Sequence, residues 1–129
     1  PPRTKQNVQD SDGTIIFGRL ESPGSILTYN LCKKFNKPYW FVSQVELIEN
    51  KNANKESFIL WLIENQIQIL NVAGNRESTN PGIEQNVKNY LVTAIRDYFN
   101  DSKFKFLRSE NEDMSQLTKK KINEQLGDK

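Results

Sequence analysis

Two short segments of this chain combine residue types that can hold an anion. The first is Glu21-Ser22-Pro23-Gly24-Ser25-Ile26-Leu27-Thr28. Gly24 would let the backbone approach a ligand closely. A helix opening here would offer unpaired N–H groups and partial positive charge, and Ser25 and Thr28 would add hydroxyls. Ser, Pro and Gly also serve as an ordinary turn and cap. The second is Asn71-Val72-Ala73-Gly74-Asn75-Arg76-Glu77-Ser78. Gly74 permits an unusual backbone angle, and Arg76 could form a forked contact with phosphate or another oxyanion. Glu77 would accept from a ligand amine or hydroxyl, or simply hold Arg76. A third segment, Arg3 to Gly13, contains Asp10 and Asp12. It lacks the further ligands and distal Glu of a calcium loop and reads as a turn before a strand.

Composition narrows the chemistry. The chain has no histidine and one cysteine, Cys32. Ser–His and Cys–His nucleophile pairs are excluded, together with the commonest transition-metal ligand. A general acid or base would have to be Asp, Glu, Lys or Tyr. An internal disulfide is impossible, which suits a reducing, cytoplasmic setting. With 18 Lys+Arg against 16 Asp+Glu and a net charge of +2, charge alone gives little reason to expect nucleic acid. The longest apolar run, Phe58 to Ile63, is far short of the ~20 residues that span a bilayer, so no membrane partner is expected. At 129 residues the chain fits one domain.

The elements that must position the two segments follow from apolar patterning. Thr14-Ile15-Ile16-Phe17 reads as a buried parallel strand between turn residues Asp10 to Gly13 and Gly18. Leu27, Leu31 and Phe35 mark one face of a helix, stopped by Asn36-Lys37-Pro38. Tyr39-Trp40-Phe41-Val42 is a second strand. Phe58, Trp61, Leu62 and Asn65 have helical spacing, although Phe58 to Ile63 is apolar throughout and reads either way. Ile67, Ile69, Leu70 and Val72 make a third strand. Pro81 then suits a first helical position with Asn80 as its cap, and Ile83, Val87, Leu91, Ala94, Ile95 and Tyr98 form the clearest helical stripe. The β-α-β-α-β-α order predicts an α/β fold with a mostly parallel sheet and helices on both faces. Residues 1–100 are assigned to this Rossmann-like domain. Residues 101–129 are assigned to an edge strand, at Lys103 to Leu107, and a charged, partly helical tail. In such sheets ligands bind beyond the carboxyl ends of strands, where both loops lie.

Three blocks taken together are similar to the putative molybdenum carrier family. They are Arg3-Thr4-x-x-Asn7-Val8-x-Asp10-Ser11-Asp12-Gly13-Thr14, Gly24-Ser25-x-x-Thr28, and Leu70-Asn71-Val72-Ala73-Gly74-x-Arg76-Glu77-Ser78 with Pro81-Gly82. The resemblance covers roughly Arg3 to Ile95, and its last block is the most specific. The family is related to molybdenum-cofactor carriers and to the lysine-decarboxylase-like Rossmann group. The resemblance implies a Rossmann-like three-layer sandwich, often a homo-oligomer, that binds molybdopterin or a nucleotide-like ligand; no directly bound metal is expected. It implies ligand-binding roles for Asp12, Gly24, Ser25, Thr28, Asn71, Gly74, Arg76, Glu77 and Ser78. It implies no established reaction.

Two departures stand out. Family members usually begin with a strand and a Gly-Gly-x-Thr-Gly loop. Nothing here matches it, so the first strand and part of the pocket are expected to be missing. The middle loop usually carries Gly-Gly-Thr, where this chain has Pro23-Gly24-Ser25; Ser25 keeps a hydroxyl. The leading expectation is a carrier for a small anionic ligand. A nucleotide or phosphosugar hydrolase, using Glu77 or Asp12 as acid/base, is the alternative. Related phosphoribohydrolases need a Glu where this chain has Tyr29 and Asn30, which weighs against that alternative. A third is a protein- or nucleic-acid-interaction module built on the basic tail at Lys119-Lys120-Lys121.

Overall fold

A computed structural model describes residues 2–96, and the backbone of residues 105–108. Tyr98 of the expected helical stripe, and the expected charged tail with Lys119 to Lys121, lie outside the described residues. The elements in chain order are α1 (Pro2–Asp10), β1 (Gly13–Gly18), α2 (Pro23–Lys34), β2 (Tyr39–Ser43), α3 (Gln44–Glu49), α4 (Asn52–Glu64), β3 (Ile69–Gly74), α5 (Ile83–Ala94) and β4 (Lys105–Arg108). The sheet has the order β2-β1-β3-β4, and every pairing is parallel. This is a Rossmann-like α/β fold. No helix among the described residues is long and apolar enough to cross a membrane.

Strand alternation sorts the sheet into two unlike faces. Ile15 and Phe17 of β1 with Leu70 and Val72 of β3 point into the main core. There they meet Leu47 of α3, Phe58, Trp61 and Leu62 of α4, and Ile83, Val87, Tyr90 and Leu91 of α5. Phe17 and Tyr90 pack edge to face at 5.3 Å, an arrangement that favours aromatic pairs beyond their buried area. The ambiguous run Phe58 to Ile63 is helical. Phe58, Trp61 and Leu62 face inward, while Leu60 and Ile63 are exposed.

The other face mixes buried polar residues with Ile16 and Ala73. Thr14 of β1 sits opposite Asn71 of β3, and both are fully buried. Asn71 Nδ2 donates to Thr14 Oγ1 over 3.2 Å. Helix α2 covers this face with Ser25, Thr28 and Cys32. The expected stripe at Leu27, Leu31 and Phe35 is therefore corrected: Leu27 is exposed and the other two are only partly buried. Short side chains let α2 lie close to the sheet, and the bulky ones point aside. Burial pushes the Cys32 thiol pKa up, partly offset by a hydrogen bond from Thr14.

Two helices escaped the sequence reading. Arg3 to Asp10 is not a turn but α1, which buries Thr4 and Val8 at i, i+4 spacing. It ends where Ser11 folds back, N–H to Asn7 O and Oγ to Val8 O. Helix α3 is one short element set by a capping box: Ser43 Oγ accepts from Glu46 N, and Glu46 Oε1 accepts from Ser43 N. The start of α5 also differs from expectation. Its cap is Gly82, in the left-handed region at φ 88°, rather than Asn80.

Gly74 has an ordinary backbone angle, so its role is not the unusual conformation expected of it. A Cβ there would meet Phe17 O at 2.8 Å. A Cβ on Gly82 would meet nothing within 4 Å. Gly74→Ala is therefore expected to cost about 2 kcal/mol by overpacking against a backbone carbonyl. Gly82→Ala should cost about 1 kcal/mol, from the left-handed angle alone. Urea denaturation of the two variants checks the order; equal losses would contradict it.

Candidate functional site

At the carboxyl end of the sheet the chain leaves two adjacent strands in opposite directions. From β1 it enters α2 on the polar face; from β3 it enters α5 on the core face. Such a reversal opens a crevice between the two strand ends, the usual ligand position in open parallel sheets. The loops Arg19–Ser22 and Asn75–Gly82 border it.

Asn75 ties these loops together. Its side chain is buried and uses both ends of the amide. Oδ1 accepts from Arg19 N at 2.7 Å and from Asn80 Nδ2 at 2.9 Å. Nδ2 donates to Ser22 Oγ at 2.9 Å and to Arg19 O at 3.3 Å. Asn80 passes the network on, donating to Gln44 Oε1 at 2.8 Å. Ends of β1, β2 and β3 are thus joined through three carboxamides. Gly18 makes room for this: it turns at φ 98°, and a Cβ there would meet Asn75 Oδ1 at 2.5 Å. Arg19 Nη1 reaches Thr79 O at 3.2 Å, bracing the second loop from outside.

The residues expected to bind ligand divide into three groups. Arg76, Glu77 and Ser78 are exposed on the turn beyond β3, and Gly24 opens α2 beside the same crevice. Among the described residues nothing holds the Arg76 guanidinium, and nothing accepts from Gly24 N–H. A second group lies at the crevice wall but is engaged. Ser25 N and Oγ contact Ser22 Oγ, and Thr28 Oγ1 donates back to Gly24 O at 3.0 Å. Glu77 does not pair with Arg76 among the described residues. Its carboxylate caps α5, accepting from Gly82 N at 2.6 Å and Glu84 N at 3.1 Å. Those two backbone donors hold its pKa below the ordinary 4.5. Gly74 ends β3 against Phe17.

The third group is elsewhere. Asp12 precedes β1, about 20 Å from the strand's far end at strand rise. Its Oδ2 accepts from Gln68 N and Ile69 N, fixing the entry to β3. Asn71 is in mid-strand beneath α2, its Oδ1 buried without a hydrogen-bond partner. Neither reaches the crevice. Sequence reasoning missed Asn75, Asn80, Gln44 and Arg19. The signal available was Asn75 next to Gly74, a buried-type position between a strand and a polar turn. Among the described residues no three His, Cys, Asp or Glu side chains gather as a metal site.

An all-parallel sheet with helices on both faces defines the Rossmann-like α/β class. Within it, the chain belongs to the circularly permutated YpsA SLOG family, whose model matches residues 1–95. It is similar to the crystal structure of a putative molybdenum carrier protein from Syntrophus aciditrophicus SB, at 33% identity and a TM-score of 0.62. That match covers 70% of this chain and 56% of the other, so the chain spans little more than half of that protein's length. No match emerged among curated proteins.

Asn75→Ala would strand Arg19 N–H and remove one partner each from Ser22 Oγ and Asn80 Nδ2, which keep Ser25 and Gln44. A loss of about 3 kcal/mol is expected, read by chemical denaturation; a loss below about 1 kcal/mol would show that the tie is dispensable. Glu77 gives a pH test. Its folded pKa lies below its unfolded value, so its stabilisation is present above about pH 4.5 and lost as pH falls through the lower folded pKa. Glu77→Gln should flatten the acid side of the stability profile while leaving neutral and alkaline slopes unchanged. An unaltered acid limb would remove the capping role.

Proposed function

We propose that the chain binds a small anionic, phosphate-bearing ligand, of pterin or nucleotide type, over the crevice between β1 and β3, and acts as its carrier. The observation that carries this reading is the switch point itself, with two cationic side chains on its rim. Among the described residues the Arg76 guanidinium has no partner, and it is suited to a forked phosphate contact. Arg19 stands across from it. Gly24 N–H, near the start of α2, adds a backbone donor at the positive end of a 12-residue helix.

The name of the Syntrophus relative makes molybdopterin the first ligand to test. The residues present fit the phosphate of such a cofactor. Among the described residues no His/Cys/Asp/Glu cluster would hold a bare metal, so on this reading molybdenum would travel within the pterin. A carrier is favoured over a hydrolase by the two carboxylates proposed for acid/base work. Glu77 is occupied by two backbone donors, and Asp12 is at the opposite end of the sheet. No acid/base pair converges on the crevice from these residues.

Calorimetric titration of the full chain with molybdopterin, GMP, AMP, inorganic phosphate and molybdate tests the reading. At least one phosphate-bearing compound should bind saturably. Arg76→Ala should weaken it about tenfold or more, with Arg19→Ala weaker in effect because that side chain is partly spent on Thr79. Absence of binding across the panel, or affinity indifferent to both substitutions, would sink the proposal.

A further inference from the structure

A second concavity lies on the other side of the molecule's core layer, between α4 and α5. It has a volume of about 580 Å³ and is lined by Asn52, Lys55, Glu56, Ile59, Leu60, Thr93 and Ala94. That size lies within the usual range of small-molecule sites. Its distinctive member is Lys55. A lysine on a surface helix normally extends its ammonium into water, yet this residue is only 7% exposed.

Lys55 is also poorly compensated. Its Nζ donates to Thr93 Oγ1 at 2.9 Å, and among the described residues no carboxylate lies within ion-pair distance of it. An ammonium has three donors, so two have no acceptor among the described residues. Thr93 cannot share more of the load, because its own hydroxyl proton is directed to Asn89 O and Tyr90 O. Burial lowers the Lys55 pKa from its ordinary 10.5, the direction expected of a cation short of partners.

The surroundings specify what would complete it. Asn52 is the first residue of α4, and the capping position, Lys51, makes no side-chain hydrogen bond. The unpaired N–H groups of that first turn favour negative charge. Ile59, Leu60 and Ala94 supply an apolar wall, and Leu60 is 59% exposed. Glu56 on the same rim opposes a doubly charged headgroup.

From these features we propose that the α4–α5 groove is a second ligand site, which takes a small amphipathic monocarboxylate. The carboxylate binds the two free donors of Lys55, and its alkyl chain lies along Ile59, Leu60 and Ala94. This site is independent of the strand-end crevice and of the reading proposed for it.

Octanoate, octanol and octylamine titrated separately into the full chain test the assignment by calorimetry. Octanoate should bind saturably at one site, octanol about tenfold or more weaker, and octylamine not at all. Lys55→Met should lower octanoate affinity about tenfold or more without lowering Tm, since it replaces an under-compensated buried cation by an apolar chain of similar length. Leu60→Asp, at an exposed position, should also abolish octanoate binding while leaving the fold intact. Absence of saturable octanoate binding, equal affinity for octanol, or unchanged affinity in Lys55→Met would each overturn the proposal. Failure here would leave phosphate-ligand binding unaffected, so the two readings are separable.

Discussion

Strands β1 and β3 approach so closely at their carboxyl ends that Phe17 O lies where a side chain on residue 74 would begin. That contact excludes every residue but glycine without a backbone shift. It also places the next residues, Gly18 and Asn75, side by side. Because Gly18 turns through the left-handed region without a Cβ, the Asn75 carboxamide fits against it and reaches Arg19 and Ser22. The geometry of both strand-end loops thus starts from one close strand contact. The Asn75 carboxamide and the Arg19–Thr79 contact then hold the loops in that relation.

The two faces of the sheet solve different problems. Helices α4 and α5 bury large aromatic and aliphatic side chains, and that layer supplies most of the apolar burial. Helix α2 instead buries Ser25, Thr28 and Cys32 on the face where Thr14 and Asn71 sit beside Ile16 and Ala73. Its benefit is proximity. A helix that begins immediately after β1 and lies close on the sheet brings its first turn to the crevice rather than away from it. The cost is visible at Asn71, whose Oδ1 is buried with no hydrogen-bond partner, a condition that opposes stability. The polar layer therefore trades packing energy for the position of a helix start.

Sequence patterning was a good guide wherever burial is apolar. β1, β2 and β3, with the stripe Ile83, Val87 and Leu91, are all legible because large apolar residues recur at strand or helix periods. It failed where burial is polar. The inward face of α2 could not be read because Ser, Thr and Cys do not register as a core stripe, so Leu27 was assigned inward instead. α1 was hidden for the same reason: Thr4 shares its buried face with Val8. At the site, residue types identified the two loops, since Gly and Arg beside strand ends carry a chemical meaning. They did not reveal which polar atoms the protein itself consumes. Glu77 is a plausible ligand residue by type and a helix cap by geometry, and nothing in its immediate neighbours distinguishes the two. Asp12 was grouped with the loops through a shared motif, yet motif residues can serve the sheet's opposite end.

That distinction between polar groups spent on the fold and polar groups left over carries the functional argument further than any motif. Asn75, Asn80, Gln44 and Ser22 are conspicuous polar residues at the crevice, but their donors and acceptors satisfy one another. A ligand gains little from groups already paired, because each contact would have to replace an existing hydrogen bond. Arg76 and Gly24 N–H are different: they are donors with no acceptor among the described residues, and Gly24 lies where the start of α2 already favours negative charge. The paired amides act as a rigid seat, and the unpaired donors act as the hands. On the proposed reading, these unpaired donors favour an anionic ligand over a neutral or cationic one.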